Sequence, residues 1–303
     1  MKDIPLRLVD EGTLLLEYGP ITMLLESWRG GRPDAEPARG AADALIGHFE
    51  DLTRFLDRAR RSVACLNRDE EGTYPLPLRR MAEAVRRLGE DDFTPMAAVA
   101  GTFADLAVEE MVRFGADYAL ANNGGDVAFR LSPRRERLAV GIVSDLARGR
   151  VSHRLILDGR SGIRGLATSG FGGRSLTRGV ASAVTVLAEE SRLADAAATS
   201  IANACDCDDP AVERCLAEEI DYDTDIPGLT VTRSVPRLSA SSIKTALERG
   251  SERAEELCAG AMIRGAVLFV AGSVALRWQG EERPFILEAF ESAGTGGSDD
   301  DRL

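Results

Sequence analysis

Asp195, Thr199 and Asn203 lie four residues apart in an alanine-rich segment that predicts a helix over about 192–204. Helical geometry stacks the three side chains along one face, about 6 Å per step. A carboxylate and a hydroxyl one turn apart can share a hard cation such as Mg²⁺, with phosphate oxygens completing the octahedron. Upstream, Thr168-Ser169-Gly170-Phe171-Gly172-Gly173-Arg174-Ser175 offers three glycines, three hydroxyls and an arginine. That set suits an anion cradle with Arg174 or Arg178 as the charge partner. It is not a P-loop, because the Gly-Lys-Ser/Thr ending is absent. The same residues also admit plain readings. An aspartate near a helix start suits the macrodipole, a helical threonine can bond back to a carbonyl, and the glycine run can be a hairpin loop.

Asn122-Asn123-Gly124-Gly125-Asp126 is the third candidate. Asn-Gly between apolar runs is a type I′ hairpin signal, since both central residues need positive φ. Alternatively, Gly124 and Gly125 remove side-chain bulk so that their N–H groups can face a pyrophosphate, with Asn122 or Asn123 reaching a base or ribose. His48 and His153 have no Ser/Asp setting that resembles a triad. Cys205-Asp-Cys207 would need a second Cys/His pair to hold zinc, and is read instead as small residues at a helix end.

The elements that must position these residues follow from periodicity and punctuation. Thr13–Glu17 and Ile21–Glu26 predict a hairpin around Tyr18-Gly19-Pro20, and 29–40 a flexible loop. One amphipathic helix is expected over 41–66 and a second over 78–88. A third, from Pro95 to about Phe114, opens with the small residues Met96–Gly101. Strands are expected before and after 122–126, at 138–143, 151–157 and 183–187, then a short helix at 213–219, an acidic turn at 221–225 and a strand at 229–232. A long helix capped by Ser239 or Ser241, a strand over 266–278 and another over 284–288 complete the pattern. Without regular βα alternation the fold class is α+β, a mixed sheet with packed helices, in one domain over 1–291. The Gly/Ser/Asp tail, 292–303, is expected to be disordered and acidic.

With 303 residues, net charge −12 and a pI near 4.9, the chain as a whole has no electrostatic attraction for nucleic acid or anionic membrane. Its longest apolar run, Gly265–Leu276, is short of the ~20 residues of a membrane span, and the amino terminus has no signal-peptide core. Five cysteines without a disulfide framework fit a reducing compartment, so the expected location is cytoplasmic.

Taken in order, Pro95-Met-Ala-Ala-Val-Ala-Gly101, Asn122-Asn-Gly-Gly-Asp126, Ala167-Thr-Ser-Gly170, and Ala183-Val-Thr-Val-Leu187 followed by Ala194-Asp-Ala-Ala-Ala-Thr199 resemble the ApbE-like superfamily of FAD:protein FMN transferases. They are most similar to a functionally uncharacterised branch found in archaea and bacteria. The resemblance covers roughly 93–204. It implies an ApbE-like fold and a Mg²⁺ ion on the FAD pyrophosphate. A hydroxyl of a flavin-accepting protein then attacks and AMP is released. Carried over by position, Asp195 and Thr199 match the metal ligands. Asn123, Gly124 and Gly125 match the Asn/Gly-Gly contact region, and Thr168, Ser169 and Gly170 the Thr-Ser-Gly loop. Two departures stand out. Ala100 occupies the place of the transferases' lysine, and their His-Ile-x-Asp-Pro-x-Thr-Gly segment has no counterpart between Arg174 and Ser182. No catalytic residue is therefore assigned. The expectation is flavin transfer or related nucleotide-cofactor chemistry. The alternatives are a non-catalytic flavin- or nucleotide-binding protein, and an enzyme of another cofactor pathway, for example pterin, on the same fold.

Overall fold

The structure is a computed structural model that describes residues 6–132 and 136–290. The chain opens with β1 (Leu6–Asp10), β2 (Thr13–Tyr18), β3 (Ile21–Arg29) and the short β4 (Arg32–Pro33), then α1 (Glu36–Thr53) and α2 (Leu56–Ala59). After α3 (Leu76–Arg87), a 3₁₀ turn at Pro95–Ala98 runs into α4 (Val99–Arg113). Six strands follow: β5 (Tyr118–Asn123), β6 (Asp126–Arg130), β7 (Arg137–Val143), β8 (Val151–Asp158), β9 (Gly165–Ser169) and β10 (Ala183–Ala188). Next come α5 (Ser191–Ala204), β11 (Glu213–Leu216), β12 (Thr230–Ser234), α6 (Ala240–Ala259), β13 (Gly265–Val270), β14 (Ser273–Trp278) and β15 (Phe285–Ala289).

The central sheet runs β1-β2-β3-β5-β6-β9-β10-β13-β14, with β4 attached to β3; β15-β8-β7 forms a second sheet and β11-β12 a third. Every ladder is antiparallel. The class is α+β, as expected. The alternation of side chains along β10 and β13 shows why both strands are apolar throughout. Val184, Val186, Leu268 and Val270 enter the core shared with the helices. Ala183, Leu187, Val267 and Phe269 enter a second core, with Leu155, Leu157 and Phe285 of the smaller sheet. A central strand covered on both faces reads as a continuous hydrophobic run rather than an alternating one.

Several local expectations are corrected. The loop expected over 29–40 contains β4 and the first turn of α1. Pro37 is tolerated in that first turn, where no intrahelical N–H is needed. Gly40 is a packing glycine, because a Cβ there would lie 2.8 Å from the Phe114 ring. The helix expected over 41–66 stops at Thr53. There the Thr53 hydroxyl donates to the Glu50 carbonyl, and Phe55 leaves helical geometry at φ −124°. The strand expected over 266–278 is a hairpin instead, folded at Ala271 and Gly272 with φ of 47° and 85°. The helix expected over 213–219 is strand β11 and a 3₁₀ turn, because these residues pair with β12. The charged amino terminus holds strand β1. The tail expected to be disordered, 292–303, lies outside the described residues. Among the described residues, no helix is long and apolar enough to cross a membrane.

Close backbone approach sets the position of α5. A Cβ on Gly165 of β9 would lie 2.2 Å from the Ser191 nitrogen, and one on Gly101 of α4 would lie 2.4 Å from the Ser191 carbonyl oxygen. The first turn of α5 is thus wedged between two glycines. Gly165→Ala is expected to destabilise the protein by about 1–3 kcal/mol through overpacking. Gly47→Ala, on α1 with nothing within 4 Å, is expected to stabilise it by about 0.5 kcal/mol. Urea unfolding of both variants checks the pair.

Candidate functional site

Neither α4 nor α5 has a side-chain cap of its own. Each supplies the other's. Asp105 of α4 accepts from the Ser191 N–H at 2.8 Å and the Arg192 N–H at 3.0 Å, with the Arg192 guanidinium adding a bond at 3.1 Å. Asp195 of α5 accepts from the Gly101 N–H at 2.9 Å. The unpaired donors of a helix start are thereby satisfied across the interface. Burial pushes the Asp105 carboxyl up to about 6, against the pull of Arg192 and the two N–H groups. The reciprocal capping holds Asp195 at the inner end of a cavity of about 630 Å³.

That cavity lies where the ends of β5, β6 and β9 meet the starts of α4 and α5. Asn123, Gly124, Asp126, Thr168, Ser169, Gly170, Arg174, Asp195, Thr199 and Asn203 all line it, and Met96–Ala100 contribute its small-residue wall. Four segments, spread along the chain from Met96 to Asn203, therefore converge on one surface. Of the predicted site residues, Gly125 is left off the lining, as is Asn122, the alternative to Asn123.

Several of the predicted residues act differently from their sequence reading. The β5–β6 hairpin turns through Gly124 and Gly125 at φ of 68° and 112°, as a type I′ turn requires. The Gly125 N–H donates to Asn122 Oδ1 at 2.9 Å, so that donor closes the turn instead of facing the cavity. Asn123 Nδ2 donates to the Ala100 carbonyl at 3.1 Å and braces the hairpin against α4. The Thr168 hydroxyl is bonded to the Thr185 hydroxyl at 2.8 Å, because Thr168 points to the face of β9 away from the helices; its N–H instead donates to Asp126. Asn203 Oδ1 accepts from the Thr177 hydroxyl and the Arg178 N–H, tying the glycine loop to α5. It is a brace, not a third member of the Asp195/Thr199 pair. Thr94, just before the Pro95–Ala98 turn, makes no side-chain cap and donates its hydroxyl to Asp225.

The sequence reading missed Asp126 as a site residue. On β6 it alternates with Val127, which enters the core under the smaller sheet, so Asp126 takes the helix side with Asp195. Burial and the neighbouring Asp126 charge push Asp195 well above the usual carboxylate range. Burial pushes Asp126 up to about 7, opposed by the Thr168 N–H and the Arg174 charge. The signal was present: a carboxylate just after a Gly-Gly turn, in phase with the buried Ala128. The opposite wall was not legible. Asp221, Thr224, Asp225 and Ile226 come from the acidic turn after β11, held in place by the Arg60–Asp223 bidentate pair at 2.7 Å. Nothing local in the sequence ties that turn to Arg60.

Two close carboxylates and a hydroxyl are hard oxygen donors, a set that fits Mg²⁺. Among the described residues, no group of three or more His, Cys, Asp or Glu side chains could hold a metal, so ligand or backbone oxygens would complete the shell. Among the described residues, the cavity lining contains no histidine, lysine or cysteine. Cys205 is enclosed against Gly250, and burial pushes its thiol up to about 12, which leaves it unreactive.

The raised Asp126 carboxyl has a consequence for stability. Its folded value lies above the unfolded one, so its contribution is full below about pH 4 and is lost as pH rises through about 7. Without divalent cation, Asp126→Asn is therefore expected to be more stable than wild type by about 1–2 kcal/mol at pH 8. The two unfolding curves are expected to converge as pH approaches 4, which a pH series of urea titrations measures.

Comparison with known proteins places the chain. A UPF0280 protein of Methanosarcina barkeri is 39% identical over 140 residues, 46% of this chain and 53% of that protein. The chain thus spans about half the length of the first such relatives. A UPF0280 protein of Methanopyrus kandleri is 37% identical over 199 residues, 63% of this chain and 76% of that protein. Among solved structures, the flavin transferase ApbE from Vibrio cholerae is a distant likeness: 13% identity, 93% of this chain and 100% of that one, TM-score 0.49. The apo flavinyl transferase ApbE from Pseudomonas stutzeri is another, at 16% identity, 88% and 90%, TM-score 0.44. The family model described as "AbpE bacteria" matches residues 6–276, and the chain belongs to that family.

Proposed function

We propose that this protein binds a flavin nucleotide such as FAD through its pyrophosphate, with Mg²⁺, and transfers the FMN half to a hydroxyl of an acceptor protein. The observation that carries the reading is the convergence of Asp126, Asp195 and Thr199 with the Gly124 turn and the 168–174 loop on one cavity. Family membership supports the same chemistry. Asp126 and Asp195 would hold the metal with the Thr199 hydroxyl, and Arg174 would face a phosphate oxygen. When bound, Mg²⁺ would supply electrostatic stabilisation of the charge that builds on the phosphoryl oxygens. The chain's own residues do the positioning. Gly124 admits close approach of a ligand, and the N–H groups at Gly101 and Thr168 hold the two carboxylates in place. Phe93, Met96, Val99 and Leu176 give the cavity an apolar side suited to a planar ring.

FAD with Mg²⁺ is expected to raise the melting temperature, whereas either alone does so weakly, because phosphate and carboxylates repel without the cation. Asp195→Asn is expected to remove the Mg²⁺-dependent part of the shift. AMP release and an FMN adduct on an acceptor protein, read by mass spectrometry, test transfer itself. No shift with FAD under any Mg²⁺ concentration sinks the binding reading.

A second reading is a flavin or nucleotide binder without turnover. It is favoured by a specific observation: Ala100 stands where the transferases keep lysine, and no histidine lines the cavity. It gives the melting shift with Mg²⁺ and FAD but neither AMP nor adduct across acceptor proteins.

A further inference from the structure

A second cavity, of about 600 Å³, lies at the other end of two strands that carry the candidate site. The first cavity takes Asp126 from the start of β6 and Thr168 and Ser169 from the end of β9. The second takes Arg130 from the end of β6 and Arg164, the residue before β9. Val108 and Val112 of α4, with Ile163, give it an apolar side. Its charges are unequally matched. Four carboxylates line this cavity, and each already has a cation. Asp105 and Glu190 share Arg192, Glu109 lies 2.8 Å from Arg80, and Glu189 lies 3.8 Å from Arg264. Of the three arginines on its walls, Arg192 is therefore committed. Arg130 and Arg164 are exposed, and among the described residues neither has a carboxylate within 4 Å. Backbone pairing brings these two together. The Phe129 N–H donates to the Arg164 carbonyl at 2.8 Å, which sets Arg164 on the strand beside Arg130, and the Arg164 N–H donates to the Ala188 carbonyl at 3.0 Å. Two like charges are thus held on one concave wall, where their field adds and favours an anion.

We propose that this second cavity binds a small organic anion, its phosphate or carboxylate group held by Arg130 and Arg164 and its body laid against Val108, Val112 and Ile163. The planar guanidinium fork matches the oxygens of either group. Glu109, Glu189 and Glu190 on the same walls repel a second anionic end, so the ligand carries its charge at one end only. Of the residues lining this cavity, none lines the first. The inference therefore stands apart from the flavin and Mg²⁺ reading and neither rises nor falls with it.

The test uses the full chain, with phenyl phosphate and benzoate as probes that carry one anionic end and an apolar body, and benzyl alcohol as the neutral control. Backbone amide resonances followed by NMR report both affinity and place. At least one anionic probe is expected to bind with Kd below about 1 mM, and the tighter of the two identifies the anionic group. The shifts are expected at 128–131 and 163–165 and not at 122–126 or 168–174. Arg130→Gln and Arg164→Gln are each expected to weaken binding about tenfold, through loss of a charge-assisted bond. Both side chains are exposed, so the variants are expected to keep the wild-type amide spectrum away from the cavity. The proposal is overturned if neither anion binds, if benzyl alcohol binds as tightly, if the shifts centre on the first cavity, or if either arginine variant binds like wild type.

Discussion

Reciprocal capping between α4 and α5 is the constraint on which the rest of the site depends. The start of α5 is pressed against Gly101 of α4 and Gly165 of β9, and neither helix start has a side-chain cap of its own. The N–H groups at both starts are met by a carboxylate from the facing helix. Asp105 and Asp195 fill that need in opposite directions. A capping carboxylate near a helix start also experiences the favourable end of the macrodipole, which offsets part of its burial cost. Asp195 therefore belongs both to the fold and to the cavity. Its orientation is fixed by the α4 backbone before any ligand arrives, the kind of preorganisation that an ion-binding carboxylate requires.

The alanine content of α5 has the same origin. Ala194, Ala196, Ala197, Ala198 and Ala202 are fully buried, between α4, α6 and the sheet. Larger side chains would push the helix off β9 and carry Asp195 and Thr199 away from Asp126. The low aromatic content of the chain, 5%, reflects a core built by close backbone approach more than by bulky rings.

Much of this was legible from residue types alone, because the responsible signals are local. The Asn-Gly-Gly hairpin, the small-residue start of α4 and the four-residue spacing of Asp195 and Thr199 each require only short-range geometry. Their common destination followed from their order along the chain. What was hidden depends on pairing across long distances. The roles of Asn123, Thr168 and Asn203 are set by which partner sits opposite: Ala100, Thr185 and the Thr177–Arg178 turn. No propensity encodes that choice. Ala271-Gly272 was missed as a turn because alanine rarely adopts positive φ, while the flanking residues are apolar enough to read as one strand. The acidic turn gave no hint of its place because its anchor, Arg60, lies 163 residues away.

The smaller sheet gives the cavity an uneven mechanical character. β9 and β10 are covered by helices on one face and by β7, β8 and β15 on the other, with Thr168–Thr185 pinned between them. Such burial on both faces is expected to let their backbone amides open only with global unfolding, whereas the rim at 172–175 and 221–223 is exposed. Hydrogen exchange should therefore divide the cavity in two: a slow floor and a fast rim. Any ligand that slows the rim alone would be recognised as a guest of this cavity, its footprint separable from a general gain in stability.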